Sequence, residues 1–153
     1  LNLEALSQAR ASTDPKAKRW RGSLLNNLAW TYHDQTRYAE ALALFEEALD
    51  VRQQAGAEEP IHAAKWCIGR CLRSLERYQE ALAIQQALLP TDSSGFASEE
   101  VGELLLAMGR DSEAASHFAI AHEKLSKDPW FVANEPERLR RIGDLAGVKL
   151  TSS

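Results

Sequence analysis

The chain has 153 residues, 44% of them hydrophobic and 26% charged, with a formal net charge of −4. This is enough apolar material for one domain with a core, and too much for a disordered polymer. The acidic balance argues against a general nucleic-acid binder, and no apolar run is long enough to span a membrane.

In chain order, residues 2–12 are predicted as a short amphipathic helix with Leu3, Leu6 and Ala9 on one side. Asp14 reads as the N-cap, and Pro15 as a first-turn residue, of a long helix running to about Gln35. A second helix over 38–54 is stopped by Gly56. The next pair is predicted over 60–75 and 78–89, followed by a loop at 90–95. A third pair covers 96–108 and 111–125, with Gly109 in its turn. Asp128-Pro129 opens a short irregular stretch, and 135–147 is a last helix with Trp130 and Phe131 packed beneath it. Strand signals are absent, because no β-branched run alternates with polar residues.

One pattern recurs three times. It reads Leu28-Ala29-x2-Tyr32-x5-Tyr38-x2-Ala41-Leu42-x2-Phe45-x2-Ala48-Leu49 in its first copy. The second is Ile68-Gly69-x2-Leu72-x5-Tyr78-x2-Ala81-Leu82-x2-Gln85-x2-Leu88-Leu89, and the third Val101-Gly102-x2-Leu105-x5-Asp111-x2-Ala114-Ala115-x2-Phe118-x2-Ala121. Ala41 and Ala81 are 40 residues apart, Ala81 and Ala114 33. A repeat of this period marks a solenoid, in which one helix pair cannot bury its apolar face alone and neighbours must stack. Ala29, Gly69 and Gly102 let two helices approach, as Ala41, Ala81 and Ala114 do from the second helix. Tyr32, Leu72, Phe45 and Phe118 fill the space between.

These residue types resemble the tetratricopeptide repeat over roughly residues 15–127. The first copy is similar to the longer repeats of the kinesin-light-chain type, and the second and third depart from the pattern at Gln85, Asp111 and Ser98. The resemblance implies an all-α, right-handed superhelical solenoid of about three helix–turn–helix repeats in a single domain. The repeats would cover 15–55, 60–93 and 95–127, with caps at 1–14 and 129–150. Leu1 is not an initiator Met and no signal-peptide pattern follows it, so an excised domain or processed product is expected.

In this family the first helix of each pair lines the concave face. The resemblance therefore implies that a partner would meet Lys16, Arg19, Ser23, Asn26, Trp30 and His33, then Trp66, Arg70 and Arg73, then Phe96, Glu99, Glu103 and Leu106. Asn26-Asn27 stands where kinesin-light-chain-like repeats use an Asn to hydrogen-bond the backbone of an extended peptide, a task suited to a group that donates and accepts. The corresponding pairs are Trp66-Cys67 and Glu99-Glu100, so no Asn ladder is present. The charge is also polarised. Lys16, Lys18, Arg19, Arg21, Arg70 and Arg73 make a basic end. Over 91–123, seven acids (Asp92, Glu99, Glu100, Glu103, Asp111, Glu113, Glu123) stand against Arg110, a net of −6. A groove with a basic and an acidic end would orient a partner by charge, with Trp30 and Trp66 as aromatic anchors. The opposing reading makes the charges ordinary solvated faces and the tryptophans core.

Catalytic chemistry finds no foothold. There is no glycine-rich phosphate loop and no nucleophile elbow, and His33, His62, His117 and His122 are scattered. Glu99, Glu100 and Glu103 form an acidic helix face, which is ordinarily solvated rather than metal-binding. Cys67 and Cys71, one turn apart on a helix, read as small reduced packers, not a disulfide or a zinc site. The expectation is a cytoplasmic protein-interaction scaffold that binds a peptide or helix in its groove, with no cofactor, metal, nucleic acid or membrane. Two alternatives stay open. One is a peptide-sensing regulatory domain of a larger protein. The other is a homo-oligomerising module whose concave face takes the terminal helix of a second copy.

Overall fold

A computed structural model of the chain describes Leu3, Glu4, Ser7, Gln8 and residues 15–147, with side chains from Trp20 onward in the long stretch. The four early residues are helical, and the rest of the predicted first helix and the Asp14 cap lie outside the described residues. The described residues hold α1 (Pro15–Asp34), α2 (Tyr38–Ala55), α3 (Glu58–Ser74), α4 (Tyr78–Leu88), α5 (Phe96–Ala107), α6 (Asp111–Leu125), α7 (Pro129–Asn134) and α8 (Pro136–Leu145). A 3-10 turn, Leu89–Thr91, follows α4, and there is no strand among the described residues. The chain divides into two compact units, Leu1–Arg77 and Tyr78–Ser153.

The pattern read from the sequence has a backbone counterpart. The turns α1–α2, α3–α4 and α5–α6 each place one residue in the left-handed region: Thr36 (φ 61°), Glu76 (φ 60°) and Gly109 (φ 77°). The next residue is an arginine each time, and its N–H returns to a carbonyl five residues back. Arg37 N donates to Tyr32 O at 2.9 Å, Arg77 N to Leu72 O at 2.9 Å and Arg110 N to Leu105 O at 2.8 Å. This closure satisfies carbonyls that the ending helix leaves orphaned. Gly56 closes α2 in the same left-handed conformation, at φ 82°.

In the first unit α1 and α2 pack through Leu25, Leu28, Ala48 and Val51, with Leu24, Tyr32 and Leu44 against them. Ala29, Ala41 and Phe45 are buried as well, and α3 packs on α2, burying Ala64, Cys67, Ile68, Cys71 and Leu72. In the second unit α5 and α6 form the corresponding pair around Val101, Leu104, Leu105, Phe118 and Leu125. The small residue at the helix crossing is obligatory there. A Cβ on Gly102 would meet the Phe118 ring at 2.9 Å.

The C-terminal part departs from its sequence reading in two ways. Residues 129–134, expected to be irregular, are helical. Asp128 caps them, its Oδ1 accepting from Trp130 N at 3.0 Å and Phe131 N at 3.3 Å, with Pro129 in the first turn. Trp130, expected beneath the last helix, is 62% exposed, while Phe131 is fully buried. The two are 100° apart on a helix, so only one of them can face the core. Helix α8 packs on α6, where a Cβ on Gly143 would meet the His122 ring at 3.0 Å.

Candidate functional site

Four of the expected groove residues come together in the first unit. Trp30 and His33 project from α1, three residues apart and so on one face. The Trp30 ring lies 6.3 Å from Trp66 of α3, edge-on to Phe45 at 4.9 Å and to His33 at 5.2 Å, and His33 lies 4.9 Å from Tyr38. Edge-to-face geometry at these separations is the favoured arrangement of aromatic quadrupoles. Both tryptophans are half-buried, so each belongs partly to the packing and partly to the surface.

Ser74, which the sequence reading did not select, joins this cluster to the basic residues. Its Oγ accepts from Arg70 Nη1 at 2.7 Å and sits 2.8 Å from His33 Nε2. With Arg70 donating to it, the hydroxyl has its own proton left for a neutral His33. Burial, then Arg70, and to a lesser degree Arg73, lower the His33 pKa below its usual 6.5, against an opposing pull from Asp34. A signal was present in the sequence, since Ser74 follows Arg70 by one helical turn.

Asn26, one turn before Trp30, has its side-chain oxygen buried without a hydrogen-bond partner among the described residues. A buried amide oxygen left unpaired costs about 1–3 kcal/mol. Asn27 is exposed, about 100° round the helix from Asn26, and its backbone carbonyl accepts from Thr31 Oγ1. Arg19 is helical, and its side chain lies outside the described residues, as does that of Lys16.

Glu99 and Glu103 belong to the second unit and are already engaged. Glu99 Oε2 accepts from Arg138 Nε at 2.7 Å, and Oε1 from Arg138 Nη2 at 2.5 Å. Glu103 takes a second bidentate contact from Arg141, with Nη2 at 2.9 Å from Oε1. The Arg138 guanidinium also lies 5.2 Å from the Phe131 ring and 5.7 Å from Phe96. Glu99 is only 3% exposed, and burial raises its pKa even though Arg138 pulls it back. The acidic face expected to be solvated is thus closed, with Glu100 buried too. The missed partners had a signal, since Arg138 and Arg141 repeat at nearly the spacing of Glu99 and Glu103. Asp92, another member of the acidic run, caps the start of α5 by accepting from Ser98 N at 3.2 Å and Gly95 N at 3.3 Å.

Cys67 and Cys71 are free, buried thiols whose pKa burial raises to about 11. At that value they are protonated and unreactive at neutral pH. No group of three or more His, Cys, Asp or Glu among the described residues is arranged to hold a metal ion. No described helix is long and apolar enough to cross a membrane.

A tetratricopeptide repeat family model matches residues 21–55, the span of α1 and α2 that carries Asn26, Trp30 and His33. No curated protein matches the chain in sequence. Solved structures match its fold. The type III secretion translocator chaperone SycD of Yersinia enterocolitica aligns with a TM-score of 0.69 at 19% identity, over 83% of this chain and 88% of that one. SycD in complex with a peptide of the translocator YopD aligns at 0.67 and 20% identity, over 86% and 94%. BtubC (BKLC) of P. vanneervenii aligns at 0.69 and 12% identity, over 97% and 70%. These likenesses extend the all-α helix-pair architecture beyond the matched repeat to most of the chain.

Proposed function

We propose that the chain is a protein-interaction scaffold, with no chemistry of its own, that binds a peptide or helix of a partner. The aromatic and basic face of the first unit is the binding surface. The observation that carries this reading is one cluster holding Trp30, Trp66 and His33 beside Arg70, with the orphaned Asn26 oxygen one turn away. Half-buried tryptophans supply large, rigid contact area, and the arginines favour a segment bearing carboxylates. Asn26 receives a backbone N–H of that segment. Arg19, Asn27 and Arg73 contribute from the same helices.

SycD, of similar fold, is known in complex with a peptide of the translocator YopD, which supports a peptide-binding use of this architecture. In this reading the repeats at 15–55, 60–93 and 95–127, with a cap at 129–150, work as one domain. The setting is cytoplasmic, in keeping with two unpaired buried thiols.

The test is an affinity pull-down that compares the wild-type chain with a Trp66→Ala/Arg70→Glu variant of unchanged circular dichroism. A protein retained by the wild type and lost by the variant, with binding that weakens as salt rises, supports the site. Equal retention by both moves the interface elsewhere, and salt-independent binding removes the charge argument.

A further inference from the structure

The seat on α5 has the chemistry of a recognition site. It presents two carboxylates one turn apart, Glu99 and Glu103, and a ring, Phe96, at its start. What fills it is a short helix with two arginines three residues apart, donated from 39 and 38 residues further along the chain. Nothing in these side-chain contacts depends on seat and occupant sharing a backbone. The connection between α8 and the rest of the unit is also slight. Glu135 alone separates α7 from α8, in a non-helical conformation (φ −128°, ψ 48°). Pro136 follows it, and a residue before proline is disfavoured in the helical region, so α7 and α8 are held as two segments with a bend between them.

We propose that this seat also accepts α8 from a second copy of the chain, giving a reciprocally exchanged dimer with the bend at Glu135-Pro136 as its hinge. Each exchanged α8 recreates the bidentate pairs of Arg138 with Glu99 and Arg141 with Glu103, and again sets Gly143 against His122. Only the backbone at the hinge differs between the closed monomer and the exchanged dimer. Exchange of an identical element is a low-cost route to association for this reason. The tethered helix competes for its own seat, so the closed monomer dominates dilute solutions and the dimer grows with concentration. The inference rests on the second unit alone and is independent of the peptide-binding face assigned to the first.

Charge reversal tests it. Arg138→Glu/Arg141→Glu sets like charges against each other within one chain, and so does Glu99→Arg/Glu103→Arg. Mixed, the two variants restore opposite charges at both seats only if their α8 helices exchange. Light scattering is expected to give each variant alone the mass of one 17.0 kDa chain, and their mixture twice that mass. A mixture that stays at single-chain mass, with both variants folded by circular dichroism, overturns the proposal.

A conservative variant covers the case in which reversed charges do not fold. Arg141→Lys keeps the charge and offers an amine that a carbodiimide can couple to Glu103. Isotopically light and heavy copies of this variant are mixed at high protein concentration and coupled. Cross-linked peptides of mixed isotope sustain exchange. Links confined to a single isotope mean that α8 stays with its own copy.

Discussion

The two units use the same position of the repeat in opposite ways. On α1 it carries Asn26, Trp30 and His33, half-buried, with one amide oxygen lacking a partner among the described residues. On α5 it carries Glu99 and Glu103, each held by an arginine of α8. Read as charges on a helix face, the acidic set looks the more available of the two, yet it is the one the chain has closed. A helix face is open to another molecule only while no segment of its own chain occupies it.

The largest effect that would sharpen this contrast is expected from Arg138→Ala. It leaves Glu99 buried without its cation, and breaking such a pair costs about 3–5 kcal/mol when both partners are buried. Arg138 is partly exposed and Glu99 can take up a proton, so a loss of about 2–3 kcal/mol in urea unfolding is expected. The loss carries a pH signature. Without Arg138 the Glu99 pKa rises further above its usual 4.5, so the folded state holds a proton that the unfolded state releases. Stability then falls as pH rises through that window, and the variant should be hurt more at pH 8 than at pH 5. An equal loss at both would show that the contact with the Phe131 and Phe96 rings, and not the ion pair, closes the seat.

A smaller effect compares the helix crossings. Ala29 occupies in the first unit the position that Gly102 holds in the second. Gly102→Ala gains helix propensity of about 1 kcal/mol but drives a methyl into the fully buried Phe118 ring, an overpacking cost of about 1–3 kcal/mol. A net loss of about 1 kcal/mol is expected, whereas Ala29→Gly should destabilise by loss of packing and propensity. A stabilised Gly102→Ala would mean that the α5–α6 crossing can widen.

The smallest effect concerns His33. Its pKa lies below 6.5 in the folded chain, so the unfolded chain binds the proton more readily. This contribution to stability is present above that window and fades as pH falls through it. The urea midpoint of the wild type should drop relative to His33→Gln between pH 7.5 and pH 5.5. Parallel curves would remove His33 from the basic cluster.

Much of the fold was legible in the sequence. The threefold pattern of small and large residues located the helix pairs, and Gly56 and Gly109 marked their ends, because helix periodicity and left-handed turns are written in local residue types. The aromatic part of the site was legible for a similar reason, as Trp30 and His33 share a face by spacing alone. Ser74 was missed because its role depends on side chains of α1 and α3, 41 residues apart in the sequence, meeting in space. Trp130 was misplaced because two adjacent apolar residues look alike until the capped helix α7 turns one of them away.

By itself, then, the sequence determined the all-α class, the repeat and the residues that each helix face presents, since these follow from backbone sterics and a 3.6-residue period. Only the tertiary structure decided which faces were already matched. That depends on arginines at 138 and 141 reaching carboxylates at 99 and 103 across a packed interface. Coulombic attraction and burial act through space, and no local pattern records which distant segment will fill a face first.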